Sequence, residues 1–290
     1  MAKFKIEHFK NETATLRDLD TDECMHSSVG AWAEAQALYI EQSQLKKRFT
    51  SPASGIREGA YPCVLYDVGL GIGANAIAAL QTLKELPPLP HQRRLHLISF
   101  EKYPEGMAYA LDHQNEFPYL KEFEKLIRHL LFHHEVSHRF ENGVELEWQL
   151  KVGDFRDFLP QLPSPELIYF DLYSPKKCPE LWGVETFQAL YQKTLHRREQ
   201  GHSTFFITYS ASTAIRAALL LSGFFVGYGV ATSDKKDTTV ASTVRQDLSA
   251  PLSSEWLEKW KRSGKPYPHG LEVVDRSALL EQLSKLLEKK

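Results

Sequence analysis

The chain has 290 residues, of which 42% are hydrophobic and 25% charged, and its formal net charge is −2. This composition excludes an intrinsically disordered chain, and it lacks the overall basic excess that is usual in nucleic-acid-binding proteins. Cys24, Cys63 and Cys178 lie far apart, which excludes both a disulfide framework and a CxxC metal site.

No apolar run reaches the roughly 20 residues that a membrane-spanning helix needs. The first ten residues contain no continuous apolar segment of the secretory type. Together with the few cysteines, these features predict a cytoplasmic protein that is not bound to a membrane.

Residues 1–60 are predicted to form an N-terminal extension that packs on the core. The segment 4–19 alternates weakly between apolar and polar residues and predicts a short hairpin. Residues 29–48 predict a helix, because Trp32, Leu38 and Leu45 recur at roughly helical spacing. Residues 50–60 are rich in Ser, Pro and Gly and predict a loop.

Residues 61–250 are predicted to form the core, because strands and helices alternate there. The predicted strands cover 63–68, 94–100, 144–153, 167–172 and 203–210. The predicted helices cover 74–86, 105–116, about 119–134, 184–196 and 213–223. Residues 224–232 and 238–244 predict a closing hairpin, and the C-terminal extension 251–290 is predicted to end in a helix. This order indicates an α/β fold with a mostly parallel seven-stranded sheet and a terminal antiparallel hairpin.

The segment YDVGLGIGAN (66–75) contains the strongest functional signal, since it lies between a predicted strand and a helix. Glycines let the backbone turn tightly and approach a ligand, and a helix N-terminus favours an anionic group. The G-x-G-x-G spacing and the preceding Asp67 differ from the usual dinucleotide pattern. A carboxylate there can pair with the ammonium group of S-adenosylmethionine, although a tight structural turn is the simpler alternative.

Acidic residues also follow the later predicted strands, where ligands bind in open α/β sheets. Glu101 is expected to accept both ribose hydroxyls of an adenosyl group, or else to be a surface or capping residue. Asp154 is expected either to bind the adenine amino group, with Phe155 against the ring, or to cap the following helix. Asp171 is expected near the sulfonium, where it can orient or deprotonate a nitrogen nucleophile.

Two groups of polar residues allow a functional and a structural interpretation. His129, His133, His134 and His138 have metal-like spacings, but no acidic or cysteine partner completes a motif, so we predict a polar helix face and no metal. The basic pairs can contact phosphates if they converge, or each can be a solvated turn. These groups are Lys46–Lys47–Arg48, Lys176–Lys177, Arg197–Arg198 and Lys235–Lys236.

Four segments in this order resemble the methyltransferase part of the MnmC family, which completes methylaminomethyl-uridine in tRNA. They are HSSVGAWAEAQALYIEQSQL (26–45), DVGLGIGAN (67–75), LHLISFEKYP (95–104) and IYFDLYSPKKCPELW (168–182). The resemblance covers roughly residues 24 to 270, without the flavin-dependent oxidase half of the bifunctional members. It departs from the family in lacking the basic segment before the last strand.

The resemblance implies a Rossmann-like class I fold, S-adenosyl-L-methionine as cofactor and tRNA as partner, with methylation of the amine of 5-aminomethyl-(2-thio)uridine at the wobble position. The residues expected to bind the cofactor are Asp67, Gly69, Gly71, Gly73, Asn75, Glu101, Lys102, Asp154 and Phe155. Asp171 is the expected catalytic residue, and Tyr173, Lys176, Lys177 and Trp182 are the expected substrate contacts, with ordinary packing as the alternative for Tyr173 and Trp182. The alternatives are a small-amine methyl- or aminopropyltransferase and a non-catalytic Rossmann-like binding module.

Overall fold

The computed structural model describes residues 3–50, 62–88, 93–231 and 236–288. The chain divides into two compact units, Met1–Phe158 with Leu167–Leu172, and Leu159–Glu166 with Tyr173–Lys290. Residues 51–60 of the predicted loop, and residues 233–235 between the two predicted hairpin strands, lie outside the described residues. The expected boundaries of the core, at residues 61 and 250, stay a prediction.

The first unit contains eight strands and six α-helices among its described residues. The strands are β1 (Phe4–His8), β2 (Ala14–Asp18), β3 (Glu23–Cys24), β4 (Cys63–Val68), β5 (Arg94–Glu101), β6 (Glu135–Arg139), β7 (Glu145–Val152) and β8 (Leu167–Phe170). The helices are α1 (Ala31–Glu34), α2 (Leu45–Thr50), α3 (Ala74–Lys84), α4 (Glu105–Asp112), α5 (Glu124–His133) and α6 (Phe155–Phe158).

The N-terminal hairpin is confirmed. Strands β1 and β2 pair antiparallel, with Phe4 opposite Asp18, and the two-residue strand β3 extends the pair to three strands. Phe4 and Leu16 are buried. These apolar side chains of the hairpin are therefore buried, as the weak alternation of apolar and polar residues predicts.

The helix predicted over 29–48 is interrupted. After α1 the backbone continues as a π-helix, Ala35–Glu41, and Gln44 then adopts a left-handed φ of 52° before α2 begins. The Gln42 amide donates to the carbonyl of Leu38, and the Ser43 hydroxyl donates to that of Ile40. These side chains take carbonyl oxygens that a continuous α-helix would use, which helps to explain the break.

The central sheet of the first unit has the strand order β8-β4-β5-β7-β6. Strand β4 is parallel to β5 and β8, and β7 is parallel to β5. Every residue of β4 and β8 is buried, which explains their continuous apolar sequences. The carboxyl ends of these parallel strands meet at one edge of the sheet, and the candidate site lies there.

Strand β6 pairs antiparallel with β7 at the edge of this sheet and was not predicted from the sequence. The helix predicted over 119–134 is a 3₁₀ segment, Pro118–Phe123, followed by α5, and the chain reverses at His134 with a φ of 61°. Strand β6 has the sequence EVSHR and is mostly exposed. It carries no apolar alternation from which a strand can be predicted.

The second unit contains α7 (Val184–Glu199), β9 (Phe205–Thr208), α8 (Thr213–Leu221), β10 (Phe225–Gly229), β11 (Thr238–Ser242), α9 (Ser254–Arg262) and α10 (Arg276–Glu288). Strand β11 pairs antiparallel with both β9 and β10, which confirms the closing hairpin. The predicted C-terminal helix, α10, packs against α8 and α9. Within the part of the chain that the structure describes, no helix combines the length and apolar character needed to cross a membrane.

Candidate functional site

The Gly-rich turn joins the buried strand β4 to α3, as predicted. Gly69 has a φ of 96°, and a Cβ atom there would collide with the carbonyl group of Asp171, whose carbon lies 2.8 Å away. Gly71 has a φ of 53°, but a Cβ atom there would meet only the Sδ atom of Met25, at 3.8 Å. The turn is therefore tightly packed at Gly69 and open at Gly71, where a ligand can approach the backbone.

Asp67 lies in β4 directly opposite Ser99 in β5, and both residues are fully buried. The Ser99 hydroxyl donates to Oδ2 of Asp67 at 2.8 Å, and the indole Nε1 of Trp148 donates to the Ser99 hydroxyl oxygen at 3.0 Å. Oδ1 of Asp67 is buried without a hydrogen-bond partner among the described residues. An orphaned carboxylate oxygen is costly unless a donor or a cation reaches it.

Burial raises the pKa of Asp67 to about 7. The hydrogen bond from Ser99 lowers this pKa, whereas the negative charges of Asp171 and Glu101 raise it further. The carboxyl group is thus poised between its two protonation states near neutral pH. A cation at this site would favour the ionised form.

Glu101 ends β5, and its carboxylate accepts backbone hydrogen bonds from two directions. Oε2 accepts from the amide of Gly71 at 3.0 Å, and Oε1 accepts from the amide of Tyr103 at 3.0 Å. Burial raises the pKa of Glu101, and these hydrogen bonds oppose the shift. The structure therefore places this carboxylate against the Gly-rich turn, while the neighbouring Lys102 is exposed.

Asp154 caps α6, which is the structural alternative considered for it. Its Oδ1 accepts from the backbone amide of Arg156 at 3.0 Å, and the Arg156 guanidinium bonds both carboxylate oxygens, at 3.0 and 2.6 Å. This guanidinium lowers the pKa of Asp154. Phe155 is buried, with its ring edge-on to Phe100 and Phe170. Binding of adenine by Asp154 and Phe155 stays a prediction.

Asp171 follows β8 and is held by the turn after β4. Its backbone amide donates to the carbonyl of Val68 at 2.8 Å. Its carboxylate Oδ2 accepts from the side-chain amide Nδ2 of Asn75 at 2.7 Å. The first unit thus brings the turn together with Asp67, Glu101 and Asp171, three residues that are far apart in sequence.

The expected substrate contacts belong to the second unit. Trp182 is buried, and its Nε1 donates to the carbonyl oxygen of Tyr173 at 3.0 Å, while its ring lies edge-on to Tyr209. Lys176 and Lys177 are exposed. Trp182 therefore braces the loop that presents the two lysines.

Comparison with known proteins shows what this chain is similar to. A family model described as S-adenosyl-L-methionine-dependent methyltransferase matches residues 118–244. The tRNA 5-methylaminomethyl-2-thiouridine biosynthesis bifunctional protein MnmC of Aeromonas hydrophila is 30% identical over 238 residues, which cover 77% of this chain. The chain belongs to the S-adenosyl-L-methionine-dependent methyltransferases related to MnmC. The MnmC protein of Pseudomonas putida is 29% identical over 78% of this chain.

The chain spans about a third of the length of these relatives, 34% and 33%. A crystal structure of MNMC2 from Aquifex aeolicus matches 99% of this chain and 84% of its own, with a TM-score of 0.67 and 23% sequence identity. This likeness confirms the fold class, a Rossmann-like α/β fold with a mostly parallel sheet.

S-adenosyl-L-methionine is the cofactor of this methyltransferase family. The described residues fit such a molecule on three counts. Asp67 offers an unpartnered buried oxygen for a cation, Glu101 brings a carboxylate to the turn, and the backbone is open at Gly71. The buried oxygen of Asp67 suits the ammonium group of the cofactor, and the carboxylate of Glu101 suits its ribose hydroxyl groups.

The four histidines with metal-like spacings lie on different elements of the structure. His129 and His133 lie together on α5 with ring centroids 4.3 Å apart, whereas His134 ends the helix and His138 lies in β6. The prediction of one helix face was therefore wrong for His134 and His138. Among the described residues no cluster of three or more potential ligands could hold a metal ion.

The basic pairs differ in their exposure and in the contacts that they make. Lys46 and Lys47 are exposed on α2. Arg197 forms an ion pair with Glu166 at 2.8 Å, and Arg198 donates to the hydroxyl of Tyr191 at 2.7 Å. The pair in α7 is therefore engaged within its own unit. Lys235 lies outside the described residues.

Three features of the site were not predicted from the sequence. Ser99 and Trp148 support Asp67, and Asn75 donates to Asp171 although a cofactor contact was expected for it. Ser99 can be found only from the register of β4 and β5, which places it opposite Asp67. The sequence carries no comparable signal for Trp148 or for the partner of Asn75.

Proposed function

We propose that this chain transfers the methyl group of S-adenosyl-L-methionine to the primary amine of 5-aminomethyl-(2-thio)uridine at the wobble position of tRNA. The observation that carries the proposal is the Asp171 carboxylate, which the Asn75 amide and the backbone of Val68 hold beside the Gly-rich turn. The names of the MnmC relatives, which describe tRNA 5-methylaminomethyl-2-thiouridine biosynthesis, support the choice of acceptor.

In the proposed reaction, Asp67 and Glu101 bind the cofactor through its ammonium and ribose groups. When bound, the cofactor would supply a methyl group on a sulfonium, whose carbon–sulfur bond would break as the nitrogen–carbon bond forms, with the thioether S-adenosylhomocysteine as the leaving group. The Asp171 carboxylate accepts a hydrogen bond from the neutral amine, orients its lone pair and takes up the proton that the amine loses. Holding the reacting atoms in line is expected to supply much of the rate enhancement.

The proposed substrate also needs contacts to its phosphates, although the chain has a net charge of −2. Lys176 and Lys177 follow Asp171 by five and six residues, and both side chains are exposed. Lysines at such positions can neutralise phosphates and steer a polyanion without a basic overall composition. We therefore assign the tRNA backbone to this pair, with Tyr173 and Trp182 shaping the loop that carries it.

A methyl-transfer assay with labelled S-adenosyl-L-methionine tests the proposal. The acceptors are bulk tRNA from cells whose wobble uridines stop at the aminomethyl stage, and the same tRNA methylated beforehand. We expect label only in the first acceptor, and we expect Asp171→Asn to slow its incorporation about 100- to 10,000-fold, to a low rate that can still be measured. The exposed residue Asp157 supplies the matched control Asp157→Asn, which should retain full activity.

Small amines form a third arm of this assay, because the negative charges of Asp171 and Glu101 both act on Asp67. Such a concentration of carboxylates would also suit a small polycationic amine. Label on spermidine or putrescine, with none on either tRNA, would replace the tRNA proposal by a small-amine transferase. A tightly bound cofactor with no label on any acceptor would favour a non-catalytic binding module.

A further inference from the structure

Asn75 is the second residue of α3, and its side chain points at Asp171. The amide Nδ2 lies 2.7 Å from Oδ2 of the Asp171 carboxylate, which is the length of a strong, charge-assisted hydrogen bond. Asn75 is only 7% exposed. A buried amide with one donor committed to a carboxylate fixes the orientation of that carboxylate.

The backbone of Asp171 is held by the same turn. Its amide donates to Val68 at 2.8 Å, and its carbonyl packs so closely on Gly69 that no Cβ atom fits between them. The segment 68–75 therefore bonds both the backbone and the side chain of Asp171. Any displacement of the turn would move the carboxylate with it.

The chemical identity of the donor also has a consequence. Glu101 brings further negative charge to this edge of the sheet, and the charges of Asp171 and Glu101 both act on Asp67. A lysine or arginine at position 75 would hold the Asp171 carboxylate but would cancel its charge. The neutral amide of Asn75 orients the carboxylate and leaves its charge to attract an amine.

We propose that Asn75 is a positioning residue, whose amide holds the Asp171 carboxylate in the orientation that receives the proton of the acceptor amine. This inference rests on the proposed function. It assigns the Asn75 amide to the acceptor side of the site rather than to the cofactor. Near-attack geometry tolerates little displacement, so loss of the amide should slow the chemical step without weakening cofactor binding.

The test compares Asn75→Ala, Asp171→Asn and the double variant in kcat, in KM for tRNA and in Kd for S-adenosyl-L-methionine by calorimetry. Asn142→Ala is the matched control, because Asn142 donates its amide to backbone carbonyls at the other end of α3, at Leu83 and Leu86. A carboxyl ¹³C NMR titration of Asp171, assigned from Asp171→Asn, adds a readout that is independent of activity.

We expect Asn75→Ala to lower kcat about 10- to 100-fold. KM and the cofactor Kd should stay within about threefold, and Asn75→Ala should cause no further loss once Asp171 is replaced. The titration midpoint of Asp171 should rise in Asn75→Ala, because a hydrogen bond to the charged form is lost. Asn142→Ala should leave both kcat and the midpoint unchanged.

The inference would be overturned by an unchanged Asp171 midpoint in Asn75→Ala, or by a cofactor Kd weakened in proportion to kcat. An additive loss in the double variant would count against it equally. If the wild-type protein transfers no methyl group to tRNA, the proposed function fails, and the NMR titration still decides whether Asn75 controls Asp171.

Discussion

The turn after β4 belongs to the first unit and the loop after β8 to the second, and the two segments are built differently. In the turn, the polar groups bond one another: Asn75 holds Asp171, and Glu101 holds the amide of Gly71. In the loop Tyr173–Trp182, a buried tryptophan braces the backbone while Lys176 and Lys177 extend into solvent. The turn is thus tied together by bonds among the protein's own polar groups, whereas the lysines of the loop are exposed to solvent.

The largest expected effect comes from the packing of the turn. Gly69→Ala should destabilise the protein by about 2–4 kcal/mol, because the new Cβ atom collides with the carbonyl of Asp171. Gly71→Ala is the matched variant and should cost only about 1–2 kcal/mol, since the left-handed backbone is strained but the space is open. Urea denaturation measures both. Equal losses would show that the turn is not tightly packed at Gly69.

The next effect concerns Asp67 and pH. Since its folded-state pKa is raised from 3.8 to about 7, the folded protein binds the proton more tightly than the unfolded chain. Folding stability should therefore fall between pH 4 and pH 7, by up to about 4 kcal/mol. Asp67→Asn has no proton to lose, so its stability relative to the wild type should rise over this range.

Thermal or urea unfolding at pH 4, 5.5, 7 and 8 measures this change for Asp67→Asn. Asp157→Asn, at an exposed position, is the control and should show no such trend. A stability difference between Asp67→Asn and wild type that does not vary with pH would show that burial does not hold Asp67 protonated.

A smaller effect tests the acceptor side of the comparison. Reversal of both charges in Lys176→Glu/Lys177→Glu should raise the KM for tRNA about tenfold and reduce the slope of its salt dependence by about 1–2. The cofactor Kd should not change. Lys121→Glu/Lys125→Glu gives the same change in net charge at two exposed positions of the first unit. Equal losses in the two double variants would remove the specific role of Lys176 and Lys177.

The smallest expected effect concerns Asp154, whose carboxylate caps α6. Asp154→Ala should lower stability by about 1 kcal/mol, whereas Asp154→Asn, which can still cap, should stay within about 0.5 kcal/mol of the wild type. Unfolding and cofactor titration should be measured together. A weakened cofactor Kd in Asp154→Ala, beyond its stability loss, would support the adenine contact; an unchanged Kd would leave Asp154 with the cap alone.

The features of the site that could be predicted from the sequence are those that local patterns encode. Strand β4, the Gly-rich turn and the acidic residues after the strands are local patterns with a physical cause, and the structure places them at one edge of the sheet. Strand β6 could not be predicted, because an exposed edge strand such as EVSHR carries no periodic apolar signal. The bond between Asn75 and Asp171 spans 96 residues, and no local pattern encodes such a contact.

We propose that the residues at the carboxyl ends of β4 and β5 hold the cofactor, whereas Asp171 acts on the acceptor. Calorimetric titration of S-adenosyl-L-methionine into Glu101→Gln and Asp171→Asn tests directly which of the two carboxylates binds the cofactor. We expect Glu101→Gln to weaken binding at least about tenfold, because a charged hydrogen-bond acceptor is lost, and Asp171→Asn to bind within about threefold of the wild type. Unchanged binding in Glu101→Gln, with a large loss in Asp171→Asn, would contradict the account.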